Sequence, residues 1–94
     1  MIKSYRTKLS AQFASGERVR EFEQFANQAR RRLVSLNAAK SLSELAAIRG
    51  NRLEALKGNR AGQHSIRIND QWRICFVWNE AERCAELVEI VDYH

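Results

Sequence analysis

Histidine and cysteine are scarce in this chain of 94 residues, with two of each. His64 and His94 stand far apart, and no Cys/His spacing in the sequence suits a metal ion. There is no phosphate-binding glycine loop and no Ser-His-Asp set. No metal and no cofactor is therefore expected. Cys75 and Cys84 are the only residues able to form a disulfide. With Cys75 mid-strand and Cys84 near a turn they are not expected to face one another, so reduced thiols in a cytoplasmic protein are expected. No apolar run approaches the roughly 20 residues of a membrane span. The opening MIKSYRTK lacks the apolar core of a signal peptide, so no membrane partner is expected.

What is present is a modest apolar fraction and an uneven charge. Apolar residues make up 45% of the chain, which excludes a disordered protein, and the length suits one domain over residues 1–94. The net charge of +5 hides an asymmetry: residues 1–73 carry 15 Lys and Arg against 6 Asp and Glu, and residues 74–94 carry 1 against 5. A basic body favours an anionic partner, nucleic acid first, although a solvated basic surface has the same composition.

The densest pattern is Ser65–Trp78, SIRINDQWRICFVW. Apolar and polar residues alternate on either side of Asn69-Asp70, which predicts a β-hairpin. Ile66 and Ile68 share one face, as do Trp72, Ile74, Phe76 and Trp78. A one-residue slip would turn a whole strand over, so the two rows meet one core only in one register. A loop of Asn69-Asp70-Gln71 achieves it, setting Ile68 opposite Trp72, Arg67 opposite Arg73 and Ile66 opposite Ile74. Two arginines then face each other off the core. Such a pair suits a phosphate, which guanidinium forks bind in bidentate fashion. Two solvated arginines, or two splayed toward separate carboxylates, satisfy the same pattern.

Along the rest of the chain, Ile2 and Tyr5 are consistent with an edge strand, and Thr7–Ser15 with a short helix stopped by Gly16. Glu17–Leu36 reads as one long helix, since Val19, Phe22, Ala26, Ala29, Leu33 and Leu36 recur at spacings of three and four. Glutamates in its early turns and Arg30, Arg31 and Arg32 in its later ones suit the helix dipole. The arginines therefore have a structural explanation beside a nucleic-acid role, in which Arg30 and Arg31, with Arg60, would bind substrate. Ser41-Leu42-Ser43-Glu44 has the form of a capping box opening a helix over Leu42–Arg49 that Gly50 ends. The two helices form a hairpin. Arg52–Lys57 reads as a strand, 57–62 as a turn, and Cys84–Val91 as a last strand apolar on both faces, hence central in the sheet. The fold class is α+β, with N-terminal helices packed on a curved, mainly antiparallel sheet.

Leu56-Lys57-Gly58, the SIRINDQWRICF hairpin, the terminal Asp92-Tyr93-His94 and the opening MIKSYRTK together resemble the HigB-like branch of the RelE/ParE toxin superfamily. The resemblance covers essentially the whole chain. It implies a microbial toxin silenced by a helix-turn-helix antitoxin, reaching operator DNA only through the antitoxin complex. It also implies a ribosome-dependent mRNA endonuclease acting in the A site without a metal. Lys57 matches the lysine of the LKG motif, Arg73 the arginine after the tryptophan, and Asp92, Tyr93 and His94 the terminal acid, aromatic and histidine. Arg67 matches the hairpin arginine of many members, although others carry it where this chain has Asn69. Some members have a histidine at the position of Glu54, so a scheme using that histidine does not transfer.

The chemistry is consistent with these residue types. RNA supplies its own nucleophile, the 2′-hydroxyl. An enzyme must help remove its proton, stabilise the charge on phosphorus and protonate the leaving 5′-oxygen. Arg67 and Arg73 suit the non-bridging oxygens, and Lys57 suits charge stabilisation or proton exchange. Tyr93 suits a base or phosphate, His94 suits acid–base work because an imidazole titrates near neutrality, and Asp92 suits orienting a neighbour. Structural readings stand beside these: Tyr93 as an aromatic cap on the sheet and His94 as a frayed end. The competing function is a non-enzymatic binder, either a gyrase poison or a remnant that only binds its antitoxin.

Overall fold

The computed structural model describes residues 1–92. Its sheet has four antiparallel strands in sequence order: β1 (Glu54–Ala55), β2 (His64–Arg67), β3 (Arg73–Asn79) and β4 (Cys84–Val91). The hairpin register is the expected one, with Ile66 paired to Ile74 and Arg67 to Arg73. The Ile68 amide donates to the Trp72 carbonyl at 3.0 Å. Asn69 closes the loop, its side-chain oxygen accepting from the amides of Gln71 and Trp72, each at 2.8 Å.

The N-terminal segment lies along the other edge of β4. Ile2 bridges Ala85 and Tyr5 bridges Val88, both in parallel, so β4 is flanked on both sides as its composition suggested. One of its residues departs from expectation. Between Cys75–Glu89 and Val77–Glu86 the register shifts, because β4 carries one residue more than β3 there. Leu87 takes up the excess with φ of 51° and is turned out to 41% exposure instead of packing inward. Such a bulge removes an amide from the ladder, and the Ser4 hydroxyl accepts that of Leu87 at 2.9 Å.

The helices are α1 (Lys8–Ala14), α2 (Ala26–Ala38) and α3 (Leu42–Ala47). Thr7 caps α1, and Gly16 beyond its end has φ of 103°, a left-handed value that favours glycine. The long helix expected over 17–36 is divided: Arg20–Phe25 winds as a 3-10 helix before α2 begins. Residues three apart eclipse in that tighter winding, which stacks Phe22 and Phe25 in one column. Both rings then meet Trp72 of the hairpin, with centroids at 5.8 and 4.9 Å. At α3 the Ser41 hydroxyl caps the Glu44 amide at 3.2 Å, while the Glu44 carboxylate reaches back to the Lys40 amide instead of that of Ser41.

Leu33, Phe22, Ile66, Ile74 and Phe76 share one buried core with Val88, Ile90 and Phe13, as the apolar stripes required. The strand expected over 52–57 is shorter. Arg49–Asn51 forms a 3-10 turn, held by the buried Asn51 side chain donating to the Leu45 carbonyl at 3.0 Å. Arg52 follows with φ of 45°, so extended backbone resumes only near Glu54. Gly50 is not a helix stop. A β-carbon there would lie 2.5 Å from Arg32 Nη2, so the missing side chain makes room for a guanidinium.

Candidate active site

Side chains alternate across the pleat. With Ile66, Ile74 and Ile90 turned to the helices, their neighbours populate the opposite face of the sheet. One row on that face runs Glu54, Ser65, Cys75, Glu89 across β1 to β4, and the next runs Arg67, Arg73, Val91. The hairpin thus brings Arg67 and Arg73 together in register, but their guanidiniums diverge. Arg67 pairs with Asp70 in the hairpin loop. Arg73 turns the other way, donating from Nε to the Ser65 hydroxyl and from Nη2 to the Arg52 carbonyl, each at 2.7 Å. The like-charge pair is thereby relieved, with one carboxylate and one carbonyl as the separate partners.

Asp92 is brought to the same end. Its Oδ2 accepts from the Gln71 side-chain Nε2 at 2.7 Å, tying the end of β4 to the hairpin loop. Tyr93 and His94, expected to act in catalysis, lie outside the described residues. Lys57 is exposed and leads from β1 into a 3-10 turn, Gly58–Arg60. Gly58 has φ of 63°, which explains a glycine directly after the lysine. Lys57 and the arginine pair stand on opposite sides of the Glu54–Glu89 row. Arg60 bridges that distance: it folds over the sheet to Glu89 of β4, with Nη1 at 3.2 Å from the carboxylate and 3.2 Å from the Gln63 side-chain oxygen.

The arginines of α2 part company. Arg30 belongs to a different face, where it donates to the Phe13 and Glu17 carbonyls at 2.8 and 3.3 Å and its guanidinium carbon sits 4.0 Å over the Phe13 ring. It also lines a groove of about 350 Å³ with Ile2, Tyr5, Leu33 and Val34, away from the hairpin. Arg31 is exposed and borders a depression with Gln28, Arg32 and Ser35. Arg32 threads past Gly50 and donates from Nε to the Arg67 carbonyl at 3.0 Å, fixing α2 to the hairpin. Its spacing from Ala29 and Leu36, three and four residues, was the signal for that inward role.

Sequence reading also passed over Arg6 and Glu89. Glu89 is a lone acid inside the apolar run VEIV, and a charge in such a run implies a partner. Its partners are Arg60 and, at 3.8 Å, Arg6. Beneath them lies Cys75, fully buried. Desolvation pushes its thiol from 9.0 up to about 11, against the opposing pull of Arg60 and, more weakly, Arg73 and Arg6, while Glu89 adds to the rise. Both cysteines are free and buried. Among the described residues no group of His, Cys, Asp and Glu is arranged to hold a metal ion, and no helix is long and apolar enough to cross a membrane.

A family model for the RelE-like toxin of the type II toxin–antitoxin system HigB matches residues 3–94. The chain belongs to this family. Toxin HigB-1 of Vibrio cholerae serotype O1 is 48% identical over 48 residues, 51% of this chain and 50% of that protein, so the match spans about half the length of that relative. A structure of the YoeB-YefM complex from Staphylococcus aureus superposes with a TM-score of 0.61 over 100% of this chain and 98% of the other, at 16% identity. At that identity the likeness concerns the fold alone: helices on an antiparallel sheet of the RelE type.

Proposed function

We propose that this toxin cleaves mRNA in the ribosomal A site and is silenced by an antitoxin of the helix-turn-helix kind. The observation that carries the reading is the hairpin register, which pairs Arg67 with Arg73 on the face opposite the helices, beside the end of β4 anchored by Asp92. Guanidiniums at that point serve the non-bridging oxygens of the scissile phosphate. Charge there is highest in the transition state, so fixed donors act mainly on the rate. Arg73 is already held by Ser65 and Arg52, which lowers the cost of ordering it when RNA arrives.

In this scheme the RNA 2′-hydroxyl attacks phosphorus and the 5′-oxygen leaves, with no water consumed in that step. His94 exchanges the proton, Tyr93 stacks on a base or donates to the phosphate, and Asp92 orients its neighbours. Lys57 and Arg60 follow the strand away from the cut. Arg31 adds charge at the rim of α2. Arg30 is given no substrate role, because its donors serve the packing of α1 on α2.

The binder reading has one observation in its favour: Arg60, Arg67 and Arg73 all have partners within the protein, as they would in a scaffold. Purified protein added to ribosomes programmed with a defined mRNA, followed by primer extension, separates the two. Cuts within the A-site codon support the nuclease. Intact mRNA, with gyrase supercoiling inhibited in a parallel assay, replaces it with the binder. The antitoxin half is tested by co-expression with the neighbouring reading frame, which must restore growth and co-purify.

A further inference from the structure

The outer face of the sheet holds a charged group that neither the motifs nor the family accounts for. Glu89 stands in the middle of it, its side chain only 15% exposed, with Arg60 at 3.2 Å and Arg6 at 3.8 Å. The two arginines arrive from opposite edges. Arg6 comes from the N-terminal segment, whose amide donates to the Val88 carbonyl at 3.0 Å. Arg60 comes from the turn after β1 and lies across the sheet. Glu89 pairs across the strands with buried Cys75, so the two guanidiniums that reach it meet over that point of the sheet. Counting the whole row, Arg6, Arg60 and Arg73 outnumber Glu54 and Glu89, which leaves a net positive charge. Arg6, 41% exposed and 3.8 Å from Glu89, has five N–H donors, more than that one contact uses.

We propose that Arg6 and Arg60, held in place by Glu89, form a second phosphate subsite on this face, which takes a backbone phosphate of a single RNA strand. It lies one strand step from Arg73, since Glu89 pairs with Cys75 and Arg73 is two residues away on β3. That step is about 6.6–6.8 Å along the strand. The inference rests on the nuclease reading for its ligand and extends the track from the scissile phosphate to a neighbouring one. Arg6 contacts the phosphate directly. Glu89 is a positioning residue: burial keeps it from competing in solvent, and its carboxylate fixes two long side chains whose ordering would otherwise oppose binding.

The sign of one substitution distinguishes positioning from bulk charge. Glu89→Gln makes the protein more positive, so non-specific electrostatics alone would tighten RNA binding. If Glu89 holds the subsite together, binding weakens in spite of the added charge. The experiment titrates wild type, Arg6→Ala, Arg6→Lys and Glu89→Gln against a fluorescent single-stranded RNA oligonucleotide over a salt series. Thermal melting verifies each fold, and cleavage on programmed ribosomes runs in parallel. Arg6→Ala should weaken binding about tenfold, the loss of one charge-assisted hydrogen bond. It should also make the log–log salt slope shallower by about 0.7, one phosphate contact on a single strand. Arg6→Lys, which keeps the charge, should retain the slope. Glu89→Gln should shift in the direction of Arg6→Ala. Tighter binding by folded Glu89→Gln, or an unchanged slope in Arg6→Ala, overturns the subsite. Wild-type cleavage with such an unchanged slope rejects the subsite and leaves the nuclease standing. A wild type that neither binds RNA nor cleaves it rejects both.

Discussion

Replacing Arg73 with alanine should do two separable things, and the structure alters what the first of them costs. The side chain lies off the core, which by itself suggests a harmless change to stability. It is nonetheless a strut. Its Nε donates to the hydroxyl of Ser65, a fully buried residue, and its Nη2 to the Arg52 carbonyl, each at 2.7 Å. Arg52 sits in a left-handed conformation between a 3-10 turn and β1, so the second bond holds an irregular segment against the hairpin. Hydrogen bonds to a charged group contribute about 1.5–3 kcal/mol each, and the exposed setting of the bond to Arg52 reduces the joint effect of the two to about that of one. A loss of about 2 kcal/mol is expected, or roughly 8–16 °C in Tm for a domain of this size. Urea unfolding should show a lower midpoint with an unchanged slope. The second effect is chemical: removing a donor that meets transition-state charge costs about 10²–10³-fold in rate. Single-turnover cleavage on programmed ribosomes must be run well below the mutant's midpoint, so that folded enzyme is measured. Arg73→Lys keeps a charge but not the planar fork and should fall between the two on both readouts. An Arg73→Ala protein with the wild-type urea midpoint would refute the strut. Full cleavage by folded mutant would refute the catalytic role.

Phe76→Ala should cost about 3–5 kcal/mol, since the ring is fully buried in the shared core; an unchanged Tm would contradict the packing. Gly50→Ala should push Arg32 off the Arg67 carbonyl at a cost of about 1.5 kcal/mol, the lower end for a hydrogen bond from a charged group, and should add nothing further in an Arg32→Ala background, because both changes break one interaction. Leu87→Asn should hold or raise stability, as asparagine tolerates the left-handed conformation and the leucine is partly exposed; a clear fall in the urea midpoint would count against the bulge. Cys75 has its thiol raised from 9.0 to about 11 in the folded protein, so it stays neutral there while the unfolded chain ionises. Its contribution is fully present below pH 9 and is lost as pH rises toward 11. The decline in stability over that window should therefore be smaller in Cys75→Ala than in wild type.

Much of the fold was legible because the relevant forces act over a few residues. The alternation through Ser65–Trp78 admits one register that buries both apolar rows, so the Arg67–Arg73 pair follows from the sequence alone. The capping serine, the glycine after α1 and the apolar stripe of α2 were readable for the same reason. What tertiary structure decided were the places where a local pattern met a distant partner. The stripe from Val19 to Leu36 has helical spacing throughout, yet Trp72 draws Phe22 and Phe25 into one column, and the chain winds more tightly there. Leu87 is apolar in an apolar strand, but pairing with β3 requires a bulge, and that residue absorbs it. Gly50 looked like a helix terminus and is instead the gap through which Arg32 reaches Arg67. The arginines differ most of all. The sequence places Arg67 opposite Arg73 but does not say what the guanidiniums of Arg6, Arg30, Arg60 and Arg73 meet, because a flexible side chain carries no local signature of its partner. Only folding assigns Arg30 to the Phe13 ring, Arg73 to Ser65 and Arg52, and Arg6 and Arg60 to the two sides of Glu89.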